Sequence, residues 1–276
     1  TEDGNFIIEK QKDFILSQTL ECGQCFHFVK LDEEDYLISA KSRILHIAQK
    51  ENRTIFYNTD EQTFDKVWKH YFDLERDYGI YIEAIDPEDT YLKTAAELGS
   101  GIRILNQDLW EMIVSFLISQ QNNIYRIRKC IDRISRRYGE EKRAADGTVY
   151  YAFPTAEALS QATEEELRDC NLGYRAKYVR DTALRVASGE VDLAAIRKMT
   201  YPEAREELLK LYGVGVKVAD CICLMALHQL SAFPVDTHIR QALEKHYPDG
   251  FPAKRYGGME GVLQPYIFYY ELIHKE

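Results

Sequence analysis

The spacing of apolar residues changes near residue 95 of this 276-residue chain. Before that point, the segments FHFVKL, YLISA, RILHIAQ and RTIFYN are short, rich in aromatic or β-branched residues, and separated by polar stretches such as DEED. This pattern is typical of antiparallel strands. Beyond residue 95, apolar residues recur at helical spacing. The sequence therefore predicts an α+β N-terminal unit with an antiparallel sheet over 1–95, followed by an all-helical body over 96–276.

Glycine, proline and polar residues interrupt the helical half and mark the ends of its candidate helices. This half has room for two helical subdomains with an active-site cleft between them. The candidate helices cover 108–119, 124–138, 155–161, 164–170, 175–188, 202–211, 216–228, 237–246 and 260–273.

The composition, with 45% hydrophobic and 29% charged residues, is that of a globular protein. No apolar run approaches the roughly 20 residues that span a bilayer, and the N-terminal TEDGNFIIEKQKDF lacks the layout of a secretory signal. We therefore expect an intracellular protein. The six cysteines are too scattered for a disulfide framework, and no four-cysteine cluster near the C-terminal end suggests an iron–sulfur centre.

The net charge of −10 is unevenly distributed. Residues 1–100 hold 11 Lys and Arg against 21 Asp and Glu, so the totals of 35 and 45 leave 24 against 24 for residues 101–276. Within this neutral part, RIRKCIDRISRR at 126–137 concentrates positive charge. Such a run can face a phosphate backbone or can be a solvated helix face.

Two glycines interrupt the helical pattern in LYGVGVKVADC at 211–221. Gly213 can adopt the left-handed conformation that ends a helix, and Gly215 allows close backbone approach before the next helix. The first N–H groups of that helix have no intrahelical partners and can bind a phosphate. The stretch predicts a helix-hairpin-helix in which the glycines serve phosphate binding or tight packing alone.

Lys217 falls in the first turn of VKVADCICLMAL, which is apolar on nearly all faces and should be buried. Burial and the positive end of the helix dipole both disfavour the ammonium, so Lys217 is either an amine nucleophile or a lysine that extends to solvent. Cys221 follows one turn later on the same face. Asp236, in PVDTH, precedes another helix, which a carboxylate in that place can cap.

Together these segments resemble a known family. A helix, G-V-G, a lysine and an aspartate 19 positions later are similar to the helix-hairpin-helix DNA glycosylases of the Gly/Pro-Asp type. More narrowly, GVKVADCICLMAL followed by FPVDTH looks like the 8-oxoguanine DNA glycosylases. The resemblance covers nearly the whole chain in order, and it continues in GQCFHF (23–28), GIRILNQD (101–108), QQNNIYRI (120–127), LGYRAKY (172–178) and QPYIF (264–268).

The resemblance implies a reaction and two catalytic residues. Lys217 matches the lysine that attacks C1′ of the damaged nucleotide, displaces the base and forms a Schiff base leading to strand scission by β-elimination. Asp236 matches the aspartate whose negative charge stabilises the positive charge developing on the sugar. The nucleotide must be extruded, because C1′ and the base edge are inaccessible in a stacked duplex.

The resemblance also implies a pocket for the extruded base. Cys221 and Phe268 match the two walls that sandwich the base, and Gln264 matches the residue that hydrogen-bonds its Watson–Crick edge. Gly23 matches the glycine whose carbonyl meets N7 of the lesion. Guanine has an acceptor at N7, whereas 8-oxoguanine carries a hydrogen there, so a single carbonyl would separate damaged from normal base.

Four further matches concern the DNA around the lesion. Arg126 and Arg175 match the arginines that read the orphaned cytosine, and Tyr174 matches the aromatic residue wedged beside it. His238 matches a histidine that contacts phosphate. Without the resemblance, an arginine in such a place could equally contact a phosphate or be an ordinary surface charge.

Two sites depart from the family pattern. Asn122 and Asn123 fall in the asparagine run that fills the gap left by the flipped nucleotide, but Gln121 replaces its first asparagine. Tyr212 stands where the family has a hairpin proline. The resemblance assigns phosphate binding to the backbone of Gly213, Gly215 and Val216, and a cation, as in relatives, to the carbonyls of Leu209, Leu211 and Val214.

The resemblance thus implies a bifunctional 8-oxoguanine DNA glycosylase and abasic-site lyase, acting as a monomer on duplex chromosomal DNA, preferably opposite cytosine, with no required cofactor. An alkylated-base glycosylase of the same fold would use the aspartate with water and would need no lysine. Adenine glycosylases and endonuclease-III-like enzymes would bring iron–sulfur cysteines. A non-catalytic DNA-binding module would keep the hairpin and basic helix without the chemistry.

Overall fold

The computed structural model describes residues 4–9, 11–144 and 147–274. Its first part is a five-stranded antiparallel sheet in the order β1-β5-β4-β3-β2. The four predicted strands are all present. β1 was not predicted, because FIIE lacks the alternation of a half-buried strand and gains its pairing only from β5. The strands are β1 (Phe6–Glu9), β2 (Phe28–Asp32), β3 (Asp35–Ala40), β4 (Arg43–Lys50) and β5 (Arg53–Phe56), with α1 (Leu16–Glu21) following β1.

Alternate residues of β3 explain why the sheet has one buried face. Tyr36, Ile38 and Ala40 are buried, while the residues between them are partly exposed. Because successive side chains point to opposite faces of a strand, this alternation places one row in the core. Helical segments of the first third supply the other side of that core through Phe64, Trp68 and Phe72.

The first third also contains helices that the sequence did not delimit. One helical stretch consists of α2 (Glu61–Thr63), a π-helical turn (Phe64–Trp68) and α3 (Lys69–Tyr71), and it is followed by α4 (Gly79–Glu83) and α5 (Thr90–Leu98). α5 packs against α15 (Glu260–Ile273), the last helix of the chain. The N-terminal third therefore contacts the C-terminal end of the helical body, and the boundary near residue 95 stays a prediction.

The helical body contains all nine predicted helices. Side-chain caps account for several of their starts: Asp108, Asn123 and Thr163 each accept a backbone N–H of the helix that follows. Among the described residues, none of the helices is long and apolar enough to cross a bilayer. The helices are α6 (Leu109–Ser119), α7 (Ile124–Tyr138), α8 (Ala156–Ser160), α9 (Glu164–Asp169), α10 (Ala176–Ala187), α11 (Leu193–Ile196), α12 (Tyr201–Leu209), α13 (Val216–Met225), α14 (Thr237–His246) and α15; a short hairpin of β6 (Glu141–Arg143) and β7 (Val149–Tyr151) follows α7.

The basic run 126–137 occupies α7, and most of it has partners within the protein. Arg136 binds Asp132 at 2.9 Å, and Arg137 binds Glu166 at 3.1 Å. Arg128 donates to the carbonyl of Phe28 at 2.6 Å. The greater part of the run is therefore a solvated, paired helix face, and its positive charge is not one continuous DNA-binding stripe.

Candidate active site

α12 and α13 are joined by a tight turn that fits only glycine at one position. Gly213 has φ +86°, and a Cβ added there would lie 2.5 Å from the ring of Tyr178. Across the turn, Asp220 of α13 accepts hydrogen bonds from Tyr201 and Arg205 of α12, each at 2.8 Å. These buried contacts fix the two helices as a helix-hairpin-helix.

The start of α13 is open to an incoming anion. Gly215 is the N-cap residue, without a side chain to satisfy the first N–H groups, and a Cβ added to it would meet no atom within 4 Å. Val216, the first helical residue, is 53% exposed. Unpaired N–H groups at a helix N-terminus bind phosphate well. The hairpin thus has the geometry that the sequence predicts for phosphate binding.

A cleft of about 840 Å³ brings together most of the predicted site residues. It lies where the turn after α1 meets residues of α6, α7, α13, α14 and α15. Its size is that of a small-ligand site. Ten predicted residues line it: Gly23, Gln121, Asn122, Asn123, Lys217, Cys221, Asp236, His238, Gln264 and Phe268.

Lys217 lies at the wall of this cleft and is half-buried. Its Nζ is 5.3 Å from the centre of the Phe116 ring, and its side chain lies beside Cys221, one turn further along α13. Most of α13 is in the core, as predicted, but its first turn is not. Phe116 was missed, because within the apolar sequence of α6 it is indistinguishable from a core residue.

Burial raises the pKa of the Cys221 thiol, and the neighbouring Lys217 partly opposes that effect. Cys221 is only 3% exposed although it lines the cleft. A neutral, buried thiol offers an apolar wall rather than a nucleophile, because the thiolate is the reactive form. Lys217 is therefore the more available nucleophile of the two.

Asp236 both caps a helix and lines the cleft. One carboxylate oxygen, Oδ1, accepts the N–H of Ile239 at 2.8 Å and so begins α14. The turn before it is tied to α15, because Nε2 of Gln264 donates to the carbonyl of Pro234 at 3.2 Å. The cap holds the carboxylate in place, so its capping role and a role in the site do not exclude each other.

The residues predicted to hold the base lie close to one another. Gly23 has φ +85°, and a Cβ added to it would lie 3.0 Å from Cε1 of Phe268. The Gly23 backbone therefore approaches the edge of that ring as only glycine can. Gln264 precedes Phe268 by one turn of α15, and the ring of His238 lies 5.9 Å from that of Phe268.

The loop between α6 and α7 turns sharply at Gln121, which has φ +47° and an exposed side chain. Asn122 is held by its amide, which donates to the carbonyl of Ile118 at 3.1 Å. Asn123 caps α7 by accepting the N–H of Arg126 at 2.9 Å. The side-chain amides of Asn122 and Asn123 thus fix the loop, and Gln121, at its corner, has a side chain exposed to solvent.

Arg175 and Tyr174 lie behind this loop rather than in the cleft. Arg175 donates from Nε to the carbonyl of Gln120 at 2.7 Å and from Nη2 to that of Gln121 at 2.9 Å. The Tyr174 hydroxyl donates to the same Gln120 carbonyl at 3.3 Å. The side chain of Arg126 is exposed and makes no hydrogen bond to any residue that the structure describes; its backbone N–H donates to Asn123. Without DNA, Arg175 therefore anchors the loop, whereas Arg126 is available to a ligand.

The six cysteines are free thiols, and all are buried. Burial raises the pKa of Cys22 and of Cys25 to about 12, so both are neutral thiols in the core. Across the described ranges, no group of three or more His, Cys, Asp or Glu is placed to hold a metal ion.

Comparison with protein families defines the class to which this fold and site belong. Residues 6–113 match the 8-oxoguanine DNA glycosylase N-terminal domain, and residues 114–254 match the HhH-GPD superfamily of base excision DNA repair proteins. The chain belongs to the HhH-GPD superfamily, with an N-terminal part of the 8-oxoguanine DNA glycosylase type.

Individual relatives are similar to the chain over different lengths. It is 39% identical over 158 residues to an N-glycosylase/DNA lyase of Saccharomyces cerevisiae, which is 53% of this chain but 42% of that protein. It is 30% identical over 242 residues to a probable N-glycosylase/DNA lyase of Methanothermobacter thermautotrophicus, covering 77% and 76% of the two chains. The match therefore spans less than half of the yeast relative's length.

A solved structure is similar over almost the entire chain. The Clostridium acetobutylicum 8-oxoguanine glycosylase/lyase, bound to double-stranded DNA with cytosine opposite 8-oxoguanine, superposes with a TM-score of 0.92 at 37% identity. The superposition covers 99% of this chain and 96% of that one. The predicted fold class, an α+β unit followed by a helical body with a helix-hairpin-helix, is confirmed.

Proposed function

We propose that this protein is a DNA glycosylase and abasic-site lyase that excises 8-oxoguanine from duplex DNA, preferably opposite cytosine. The observation that carries the proposal is the convergence of Lys217, Asp236 and Gly23 in one cleft beside a hairpin open to phosphate. The names of the relatives support the same activity. Binding at the hairpin would place one DNA strand so that an extruded nucleotide can enter the cleft.

The wall residues account for recognition of the base. The flat base would lie between Cys221 and Phe268, with Gln264 near its edge. The carbonyl of Gly23 would accept a hydrogen bond from N7–H of 8-oxoguanine and would repel the N7 lone pair of guanine. A site that leaves a buried polar group unpaired with the wrong substrate discriminates strongly, by a factor of about 10⁴ or more.

The reaction uses Lys217 as the nucleophile. Its neutral amine forms a bond to C1′ while the bond from C1′ to the base breaks, and the base leaves with that electron pair and takes up a proton. The carboxylate of Asp236 stabilises the positive charge on the sugar at that stage. Opening of the sugar ring gives a Schiff base. Loss of a proton from C2′ and departure of the 3′ phosphate then cleave the strand.

Further residues would act on the DNA around the extruded nucleotide. Gln121, at the corner of the loop before α7, would enter the gap that the extruded nucleotide leaves, and Arg126 and Arg175 would read the orphaned cytosine. Tyr174 would wedge beside that cytosine, and His238 would contact a phosphate. The exposed position of Gln121 and the availability of Arg126 support these roles.

The hairpin carbonyls of Leu209, Leu211 and Val214 fit a cation, because backbone carbonyls are hard oxygen donors. The Leu211 carbonyl accepts the N–H of Val214 at 3.0 Å and retains a second lone pair. A cation there would strengthen phosphate binding by adding positive charge next to the N-terminus of α13. The chemical step does not depend on it.

The proposal is tested by trapping the Schiff base. Incubation with an 8-oxoguanine:cytosine duplex and sodium borohydride should give a covalent protein–DNA adduct with the native protein. Lys217→Gln should give none, because an amide cannot form a Schiff base. The matched variant Lys198→Gln changes an exposed lysine beside Glu203, Glu206 and Glu207, outside the cleft, and should be trapped like the native protein.

Neither alternative gives an adduct with this duplex. An alkylated-base glycosylase would release 3-methyladenine from methylated DNA, and a non-catalytic module would bind the duplex without releasing any base. Absence of an adduct with the native protein would overturn the lyase assignment. An adduct retained by Lys217→Gln would move the nucleophile to another amine.

A further inference from the structure

Beside the glycine hairpin, a cluster of Lys177, Tyr178 and Tyr212 has no part in the site described above. Lys177 belongs to α10, and Tyr212 immediately precedes Gly213 in the hairpin. Lys177 Nζ lies 5.2 Å from the ring centre of Tyr178 and 5.3 Å from that of Tyr212. The interaction with Tyr212 also raises the pKa of Lys177.

Tyr178 holds this cluster in a fixed position. Its ring meets the Tyr212 ring edge to face, with 4.8 Å between centres and an interplanar angle of 88°. The same ring fills the space that a side chain at Gly213 would need. Tyr212 is nevertheless 48% exposed. The Tyr178 ring thus packs against one side of the hairpin, and Tyr212 is exposed on the other side.

The chemistry of the cluster selects its ligand. An ammonium ion and a phenolic hydroxyl are both donors suited to phosphate oxygens. The cluster lies on the hairpin that carries the open N–H groups of α13, so a phosphodiester backbone bound there passes close to it. A lysine side chain is charged at neutral pH, and the interaction with Tyr212 raises the pKa of Lys177 further.

We propose that Lys177 and Tyr212 form a side-chain phosphate contact that extends the backbone grip of the hairpin along the same DNA strand. The ligand is a phosphodiester adjacent to the one bound by the N-terminus of α13. Tyr212 thereby gives the hairpin a donor that a proline at that place would lack, and Tyr178 supplies the rigidity. This inference rests on the proposed DNA-binding function.

The test measures binding rather than turnover. In the Lys217→Gln background, the affinity for an 8-oxoguanine:cytosine duplex is measured by fluorescence anisotropy at several salt concentrations. Each neutralised phosphate contributes about 0.9 to the slope of log K against log salt. We expect Lys177→Gln to weaken binding several-fold and to reduce that slope by about 0.9, whereas Lys198→Gln should leave both unchanged.

Tyr212→Phe and Tyr212→Pro extend the test. Tyr212→Phe keeps the packing on Tyr178 but loses the hydroxyl, so it should weaken binding less than Lys177→Gln while the thermal unfolding midpoint stays unchanged. In the Tyr212→Pro variant, adding Lys177→Gln should weaken DNA binding less than it does in the native hairpin, because the lysine has already lost its partner Tyr212.

The proposal is overturned if Lys177→Gln leaves the slope of log K against log salt at its native value. It is also overturned if Lys177→Gln and Lys198→Gln change the DNA affinity equally. Its failure is distinguishable from failure of the proposed function. If only the phosphate contact is wrong, the native protein still forms the borohydride adduct and the slopes do not change. If only the lyase assignment is wrong, the slopes change as expected and no adduct forms.

Discussion

At the scale of single residues, Glu111 is an acidic group that the fold keeps neutral. Burial, and then the nearby Asp108, raise its pKa to about 8, and Lys41 only partly opposes this. The carboxyl of Glu111 is 12% exposed, and the nearest ring, that of His27, has its pKa lowered to about 4 by burial. An uncharged pair thus occupies this part of α6 at neutral pH.

The raised pKa of Glu111 makes stability depend on pH in a defined direction. Between about pH 4.5 and 8, the unfolded chain has lost this proton while the folded chain retains it, so stability falls as pH rises. Glu111→Gln removes the ionisation and keeps the shape. At pH 5 we expect the variant to unfold near the urea midpoint of the native protein. At pH 8 its free energy of unfolding should exceed that of the native protein by about 1–3 kcal/mol.

The matched control for this prediction is the exposed Glu97 of α5. Glu97→Gln should alter the free energy of unfolding equally at pH 5 and pH 8. A Glu111→Gln variant whose stability relative to the native protein is the same at both pH values would show that the carboxylate is solvated in the folded state.

At the scale of elements, the loop between α6 and α7 is the part of the site whose conformation depends on another element. Arg175 reaches it from the turn before α10 and binds two of its carbonyls. The left-handed conformation of Gln121 is stabilised in this way, since a non-glycine residue rarely adopts it alone. The side chain of Arg126, in the first turn of α7, makes no comparable hydrogen bond to the loop among the described residues.

The two arginines should therefore respond differently to substitution. Arg126→Gln should reduce the preference for cytosine over adenine opposite 8-oxoguanine by about tenfold or more, since a bidentate base contact contributes about 1–3 kcal/mol of discrimination, and should leave the unfolding midpoint unchanged. Arg175→Gln should reduce the preference and also lower the midpoint, because it frees the loop carbonyls. Single-turnover excision rates opposite each base and thermal unfolding measure the two effects.

If the native enzyme excises 8-oxoguanine at equal rates opposite cytosine and adenine, then neither arginine reads the opposite base. A midpoint lowered by Arg126→Gln as much as by Arg175→Gln would show that Arg126 is also structural.

At the scale of the whole molecule, Arg103 ties the segment that leads into α6 to two segments of the first third. Its side chain is 2% exposed, and Nη2 lies 2.7 Å from the carboxylate of Asp13, near the start of the sheet unit. Nη1 donates to the carbonyls of Asp73 and Arg76, and the guanidinium stacks over Tyr78 at 4.7 Å. One buried cation thus holds segments that are far apart in the chain.

Replacing Arg103 should destabilise both parts together. Removing one member of a buried ion pair costs about 3–5 kcal/mol, so Arg103→Met should lower the urea midpoint strongly within a single transition. Arg136→Met, which breaks an ion pair whose arginine is 61% exposed, should cost less than about 1 kcal/mol. Equal shifts in the two variants, or two separate transitions for Arg103→Met, would contradict a joining role for Arg103.

The sequence alone predicted the two-part architecture and the candidate site residues of this protein. Apolar periodicity located four of the five strands of the sheet and nine helices of the helical body, because each pattern reports which side of its own element is buried. It missed α11 and the helices of the first third. The glycines before Lys217 and the aspartate before α14 were readable because caps and turns depend on local chemistry. The family resemblance then supplied roles that spacing could not, and those roles stay predictions.

Only the tertiary structure decided what surrounds those residues. Phe116 beneath Lys217, the bond from Gln264 to Pro234 and the contact of Gly23 with Phe268 all join distant segments. Likewise, the run 126–137 could be a DNA-binding stripe or a solvated helix face until the structure showed Arg136 paired with Asp132 of the same helix and Arg137 paired with Glu166 of α9. Such contacts depend on how faces meet in space, and that is set by packing of the whole chain rather than by any local pattern.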